Sequence, residues 1–376
     1  MRFFENQSEC NKDELAALSP SRVAVVGLGA LGSEVCAQLA SALAQTDISI
    51  EILLIDPDVL HPRNIPASSV YQRLLQEMGG HAFNCYKADL LAVWFSKYFS
   101  MRWKSRSIEI ADCGWKELGD LDILITCTDN MSSRAEAAFI SRMLSLPMID
   151  GGVMGNAIPA GRVALYGTDI EDACYLCGLS QVARFAILAE MSTESYGCER
   201  VPEHRAMDSS MESTWSVHHV ASMLVDRVVA QLTSPSRTAS FETRIVASSP
   251  PEPIQLTRAI DCPWHLPTVT CVQVKTDSPL STAIPLEEWC LILPWAVAMS
   301  WKCIVCGYRH KESLRLSYVR RKVPCPYCSS LRSLAPESIV SVIRPEDHYA
   351  QLTPRQLGLP EEHLLLARKR MQPVSI

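Results

Sequence analysis

The sequence predicts an α/β protein: a Rossmann-like, doubly wound, mostly parallel sheet followed by a smaller C-terminal unit. Three observations predict it. Apolar strand-like runs alternate with helical patterns between Val23 and Ile149. A G-x-G-x-x-G turn, Gly27, Gly29 and Gly32, joins the first such run to the first helical pattern. Two Cys-x-x-Cys pairs, Cys303/Cys306 and Cys325/Cys328, lie close together near the C-terminus, a spacing that suits a structural zinc staple.

The elements follow in order. Residues 1–20 read as a helical or irregular lead-in ending at Ser19-Pro20. Val23–Val26 is a continuous apolar run, as expected of a strand buried on both faces. Leu31–Leu43 has helical periodicity, and Ile50–Ile55 is a second strand ending at Asp56. Lys87–Phe99 predicts an amphipathic helix, Ile123–Thr126 a strand and Ser132–Leu144 a helix. Pro147–Ile149 predicts a short strand before Gly151-Gly152. Arg162–Tyr166 resembles an added strand, and Trp215–Leu232 a long helix. Ser248–Pro253 is rich in Ser and Pro and reads as a linker. The expected organisation is therefore a lead-in over 1–20, a core over 21–247 and a C-terminal domain over 254–376, with a zinc ribbon at 303–328. Within that tail, Pro354–Leu366 is apolar enough for a last strand or short helix.

Bulk properties narrow the function classes. A net charge of -6 gives no basic footprint, so nucleic acid is not an expected partner. The basic run Arg315, Arg320, Arg321 and Lys322 reads as a solvated face. No run reaches the roughly 18 apolar residues needed to span a bilayer, and Met1–Lys12 lacks a signal-peptide core. The expectation is a cytoplasmic protein with no membrane partner. Fifteen cysteines in a reducing compartment suggest metal ligation or thiol chemistry, not disulfides.

The glycine turn allows backbone N–H groups and a helix N-terminus to approach phosphate. Asp56, at the end of the next strand, is placed to hold ribose hydroxyls. These features indicate a nucleotide without saying which, and on them alone an NAD-dependent oxidoreductase fits as well. Further features depart from hydride transfer. Asp56-Pro57-Asp58 is followed by Arg63-Asn64, Arg73 and Lys87, and a later strand ends at Thr128-Asp129-Asn130 before Arg134. Cations near the glycine turn can neutralise phosphate charge, and a carboxylate such as Asp129 suits Mg2+. Taken singly, each of these residues also reads as a solvated charge or a cap, Asn130 as a helix N-cap.

The ordered series GLGALG, IDPDVLHPRN, YKADLLA and TCTDNMSSR resembles the ubiquitin-activating superfamily, which includes ThiF/MoeB-type adenylyltransferases, over roughly residues 20–235. The resemblance implies ATP-dependent adenylation of the C-terminal carboxylate of a ubiquitin-like or sulfur-carrier protein. It implies that Gly27, Gly29 and Gly32 line the phosphate loop and that Asp56, beside Asp58, binds ribose. Asn64, Arg73 and Lys87 would contact the ATP phosphates, and Asp129, in Thr128-Asp129-Asn130, would bind Mg2+. The family's Arg three residues after the Asn is Ala67 here. Arg73 then requires an insertion after Asn64, and Arg63 competes for the role. The family's arginine finger has no counterpart beyond Arg2, the only arginine before Arg22. The family also implies a homodimer or heterodimer.

Related adenylyltransferases bind a zinc through a Cys-x-x-Cys after the core and a second pair downstream. The resemblance therefore implies a second zinc on Cys174, Cys177, Cys262 and His265, the rival reading being packing cysteines and a surface histidine. Cys198 is the candidate acyl-accepting thiol, with Arg200 or His204 to lower its pKa, and then a conjugating enzyme would be the next partner. A plain loop or core thiol is equally consistent with Cys198. Cys36, Cys85, Cys113 and Cys127 are expected as small buried hydrophobes. The alternatives are a sulfur-carrier adenylyltransferase that stops at the adenylate and a catalytically silent nucleotide-binding scaffold.

Overall fold

The computed structural model describes residues 20–44, 46, 48–154, 159–169, 171–184, 187, 214–233, 240–260, 262–265, 269–275, 277–282, 289–315, 323–331, 333–344, 346–359 and 364–369. Arg2, Cys198, Arg200, His204, Arg320, Arg321 and Lys322 lie outside them.

The first half winds in the predicted alternation, with two helices and a strand between Asp56 and Ile123 that the sequence reading did not assign. Strand β1 (Ser21–Val26) leads through the glycine turn into α1 (Ala30–Leu43), then β2 (Ile50–Ile55). Helices α2 (Ser69–Met78) and α3 (Lys87–Tyr98) precede β3 (Arg102–Arg106). A short α4 (Trp115–Leu118) precedes β4 (Ile123–Thr126), α5 (Met131–Leu144) and β5 (Met148–Met154). Strand β6 (Ala160–Tyr166), α6 (Thr214–Thr233), β7 (Phe241–Val246) and β8 (Ser249–Gln255) complete this unit. The eight strands form one sheet in the order β3-β2-β1-β4-β5-β6-β7-β8. The run β3 to β5 is parallel, and β6 to β8 continue antiparallel. The apolar runs become strands because helices cover both sheet faces. Val23, Val25, Ile52 and Leu54 pack with α1, α3 and α6, whereas Ala24, Val26, Leu53 and Leu124 pack with α5.

Two expectations change here. The strand expected over Pro147–Ile149 runs on to Met154, because β6 pairs along its whole length. The Ser/Pro segment expected as a linker is mostly β8, an edge strand hydrogen-bonded to β7 on one side. Pro250, Pro251 and Pro253 are tolerated because an edge strand leaves half of its N–H positions without a ladder partner and because the register with β7 shifts opposite Pro250-Pro251. The opposite edge, β3, carries Arg102, Lys104 and Arg106 on alternate, largely exposed positions.

The tail builds a second sheet from β9 (Val269–Gln273), β10 (Trp289–Cys303), β11 (Arg309–His310), β12 (Leu314–Arg315), β13 (Leu334–Ile343) and β14 (Leu364–Lys369). The long β10 is its spine, pairing with β11, β12, β13 and β14. A separate core of Leu291, Leu293, Trp295, Val297, Val340 and Leu365 lies beneath it. The apolar stretch near Pro354 resolves into a 3-10 turn at Arg355–Leu357 and the strand β14. No helix among the described residues is long and apolar enough to cross a membrane.

Arg315 corrects the reading of a solvated basic run. It is buried, and its Nη2 lies 3.0 Å from Glu109 and 2.8 Å from Asp112, with Nη1 3.8 Å from Glu136. Its guanidinium also sits 5.2 Å from the Trp295 ring centre. Ala111, between two of these acids, packs into the core of the second sheet. The C-terminal unit is thus fastened to the first by an apolar contact and a buried ion cluster.

Candidate active site and metal clusters

Gly27 directly follows β1 with φ +83, a left-handed conformation that favours glycine. A Cβ there would meet the Thr128 nitrogen at 2.9 Å and the Cys127 carbonyl oxygen at 3.0 Å, so this loop and the loop after β4 pack backbone to backbone. A Cβ on Gly32 would overlap the Gly27 carbonyl oxygen, whereas nothing lies within 4 Å of one on Gly29. The turn is therefore tight on its inner side and open at Gly29. It lies between β1 and β4, where the strand order reverses and ligands of open α/β sheets bind. Substituting Gly32 by Ala is expected to destabilise the protein by on the order of 3 kcal/mol, because the clash is with backbone. Thermal unfolding of the variant against wild type measures this.

Asp56 is buried at the C-terminal end of β2. Its carboxylate accepts the Leu28 N–H at 2.6 Å and the Asp58 N–H at 2.8 Å, tying the glycine loop to the neighbouring strand. Burial raises its pKa, and the charge of Lys87 partly offsets that rise. Lys87 opens α3, is buried, and places Nζ 3.3 Å from an Asp58 oxygen. The Lys87 N–H also donates to the Asp58 carbonyl at 2.9 Å. Asp56, Asp58, Lys87 and the glycine loop form one connected group.

Two residues that sequence reasoning passed over lock this group. Tyr71 of α2 is buried and donates its hydroxyl to the Leu28 carbonyl at 2.6 Å. Ser68 caps α2 through the Tyr71 N–H, and its hydroxyl lies 2.8 Å from that of Ser33 on α1. Asn64 accepts the His61 N–H at 2.9 Å, closing the 3-10 turn Pro62–Asn64. Arg63 is exposed in that turn, and Arg73 is exposed on α2. Neither makes an ion pair among the described residues.

The loop after β4 forms the facing wall. Asn130 caps α5, accepting the Ser133 N–H at 2.7 Å, and its Nδ2 donates to Asp129 at 3.2 Å. Asp129 is exposed at the mouth of a cleft of about 200 Å³ lined also by Asn130, Arg134, Gly152, Met154 and Arg162. Beneath it, Asp150 is fully buried. It accepts from the Thr126 hydroxyl at 2.7 Å and from Arg162 at 2.7 Å, and Arg162 reaches Glu242 at 3.1 Å. Asp150 and Arg162 were absent from the expected site. The only sequence signal for Asp150 is its place at a strand end before Gly151-Gly152.

The eight expected metal ligands come together in two groups, Cys174/Cys177/Cys262/His265 and Cys303/Cys306/Cys325/Cys328. Within each, all ligand atoms lie within 4.8 Å of one another. Sulfur pairs are 3.6 Å apart in the first and 3.7 Å in the second. A tetrahedron with Zn–S of about 2.3 Å has an edge of about 3.8 Å, so both donor sets fit zinc. His265 is buried with Nε2 3.4 Å from Cys177 Sγ, against the reading of a surface histidine. Among the other thiols, burial pushes Cys36, Cys113 and Cys127 well above the usual range, as expected of inert core groups. Cys85 does not follow that expectation. It lies outside helix and strand, in the bend before α3, and is exposed.

The profile of the ThiF family matches residues 5–258. The chain belongs to the ThiF family. Its members are adenylyltransferases that bind ATP and Mg2+ and act on ubiquitin-like or sulfur-carrier proteins. The crystal structure of selenomethionine PaaA is similar at 18% identity and a TM-score of 0.43, over 62% of this chain and 72% of that one. No curated protein matches.

Proposed function

We propose that this ThiF-family chain activates the C-terminal carboxylate of a ubiquitin-like protein and passes the acyl group to a conjugating enzyme. The observation that carries this reading is the convergence of the open Gly29 turn, the Asp56–Asp58–Lys87 group and the Asp129 loop at the reversal between β1 and β4. In this reading the carrier's terminal carboxylate attacks the α-phosphorus of ATP, and pyrophosphate leaves. Mg2+ held by Asp129 supplies charge neutralisation on the phosphates. Lys87, already buried beside the nucleotide face, stabilises charge developing on the transferring group. Arg73 or Arg63 supplies a further cation, Asn64 positions a phosphate, and Thr128 and Asn130 shape the metal loop. The Cys198 thiolate then attacks the acyl carbon and AMP leaves, giving a thioester. The two cysteine clusters hold structural zinc, since four protein ligands leave no open position. The tail from residue 254, with its ribbon at 303–328, docks the carrier or the conjugating enzyme. Metal-ligating thiolates and free cysteines support a cytoplasmic setting.

ATP–pyrophosphate exchange with a panel of ubiquitin-like and sulfur-carrier proteins tests the first step. Exchange is expected only with a cognate carrier, and substituting Lys87 by Met or Asp129 by Asn is expected to lower it by on the order of a hundredfold. Silence with every carrier overturns adenylation in favour of a nucleotide-binding scaffold. The second step has its own measurement. The Cys198→Ala variant keeps exchange and loses a thiol-labile carrier adduct, and an adduct that survives the substitution overturns the thioester assignment.

A further inference from the structure

Arg134 is mostly buried and lines the Asp129 cleft. Its Nε and Nη2 both donate to the Thr128 carbonyl, at 3.0 and 2.6 Å, and Nη2 also donates to the Gly151 carbonyl at 3.1 Å. One guanidinium thus ties the residue before Asp129 to the neighbouring strand β5. Asp150, fully buried, lies 3.6 Å from Nε and is itself fixed by Thr126 and Arg162. The passage is narrow. A Cβ on Gly152 would sit 3.0 Å from Nη1, so Gly152 leaves the space that the guanidinium fills.

The consequence concerns Asp129. Its own side chain is exposed and, among the described residues, receives one hydrogen bond, from Asn130, so what fixes the carboxylate is the backbone of its turn. That backbone is held on one side by the Asn130 cap and on the other by Arg134. We propose that Arg134 is a positioning residue for the Mg2+-binding carboxylate of Asp129, with Asp150 as its buried counter-charge. This inference rests on the reading of Asp129 given above. Outer partners of metal ligands act in this way, by removing alternative orientations that the ligand would otherwise occupy. A merely structural Arg134 would weaken nucleotide binding whether or not Mg2+ is present. A positioning Arg134 acts on the part that Mg2+ adds.

The test uses the full-length chain and calorimetric titration with ATP, once with saturating Mg2+ and once with EDTA. Mg2+ is expected to tighten ATP binding to the wild type, and Asp129→Asn to abolish that gain. Arg134→Gln is expected to cut the gain by on the order of tenfold while leaving the EDTA affinity unchanged. Arg134→Lys is expected to recover part of it, because one N–H donor can still reach the Thr128 carbonyl. Asp150→Asn keeps Arg134 and its carbonyl contacts, and should shift the gain the same way by less. It also serves if Arg134→Gln does not fold by thermal unfolding. A full Mg2+ gain in Arg134→Gln or Asp150→Asn, with the gain lost in Asp129→Asn, overturns the inference and leaves the proposed function standing. Equal losses with Mg2+ and with EDTA overturn it as well. An unchanged gain in Asp129→Asn overturns the metal assignment itself and the inference with it.

Discussion

Full-length protein is expected to carry two zinc equivalents per chain by elemental analysis. Cys174→Ser and Cys325→Ser are each expected to remove one. The two losses differ in kind. Cys325 is fully buried and joins two knuckles whose remaining support is a small cluster of Ala298, Trp301 and Leu334. Structural zinc contributes about 10–16 kcal/mol in small domains, so without it the ribbon has no independent means of folding. Cys174 and Cys262 instead lie in a larger cluster with Ala138, Met148, Tyr166 and Tyr175. Loss of that zinc strikes the adenylation unit itself, beside β5 and β6. Limited proteolysis of Cys325→Ser should release the ribbon and spare residues 21–255, whereas Cys174→Ser should expose cleavage within them. One zinc or none in the wild type would contradict the assignment.

Arg315→Met is expected to destabilise the protein by about 3–5 kcal/mol, the usual consequence of removing one side of a buried ion cluster. Arg315 is the shared partner of Glu109, Asp112 and Glu136, two of which are buried. Methionine fills a similar volume, so the loss reads the stranded carboxylates more than a cavity. Chemical denaturation monitored by tryptophan fluorescence measures it, since Trp295 lies against the guanidinium. The fold predicts a further sign of the same change. With the cluster gone, the first unit and the tail should unfold in two separable transitions where the wild type shows one. A shift below about 1 kcal/mol would mean that the cluster behaves as a surface pair.

Much of this architecture was legible in the sequence because its signals are local. Ile50–Ile55 and Ile123–Thr126 come out with the boundaries that their apolar runs set, and the glycine turn and Lys87 stand where strand-to-helix transitions place them. The metal group at 303–328 was legible because paired Cys-x-x-Cys spacing reports a constraint that packing alone does not impose, whereas the group of Cys174, Cys177, Cys262 and His265 was legible only through the family resemblance. What escaped is non-local. Arg315 looks like one cation of a basic run, and only the docking of the second sheet onto Ala111 shows that it is buried. Tyr71 has the pattern of a core aromatic, and its hydroxyl matters because Leu28 comes to it from 43 residues away. Ser248–Pro253 misleads by composition, since prolines mark an edge strand as readily as a linker. Cys85 shows the converse, a small apolar residue with no core to enter.

The two borders of the eight-stranded sheet set a rule for how an extended peptide can engage that sheet. On β8, Pro250, Pro251 and Pro253 thin the row of donors, and the shifted register opposite Pro250-Pro251 breaks the regular edge that an incoming strand would need. On β3, Arg102, Lys104 and Arg106 crowd the border with charge and flexible side chains. Neither border invites lateral annexation of a foreign strand, a common means by which sheet proteins capture tails and also by which they aggregate. A flexible peptide terminus is left with an axial approach, down onto the strand ends where the glycine turn and the Asp129 loop stand. The same guarding that disfavours edge-to-edge stacking of copies also leaves the strand ends as the open approach.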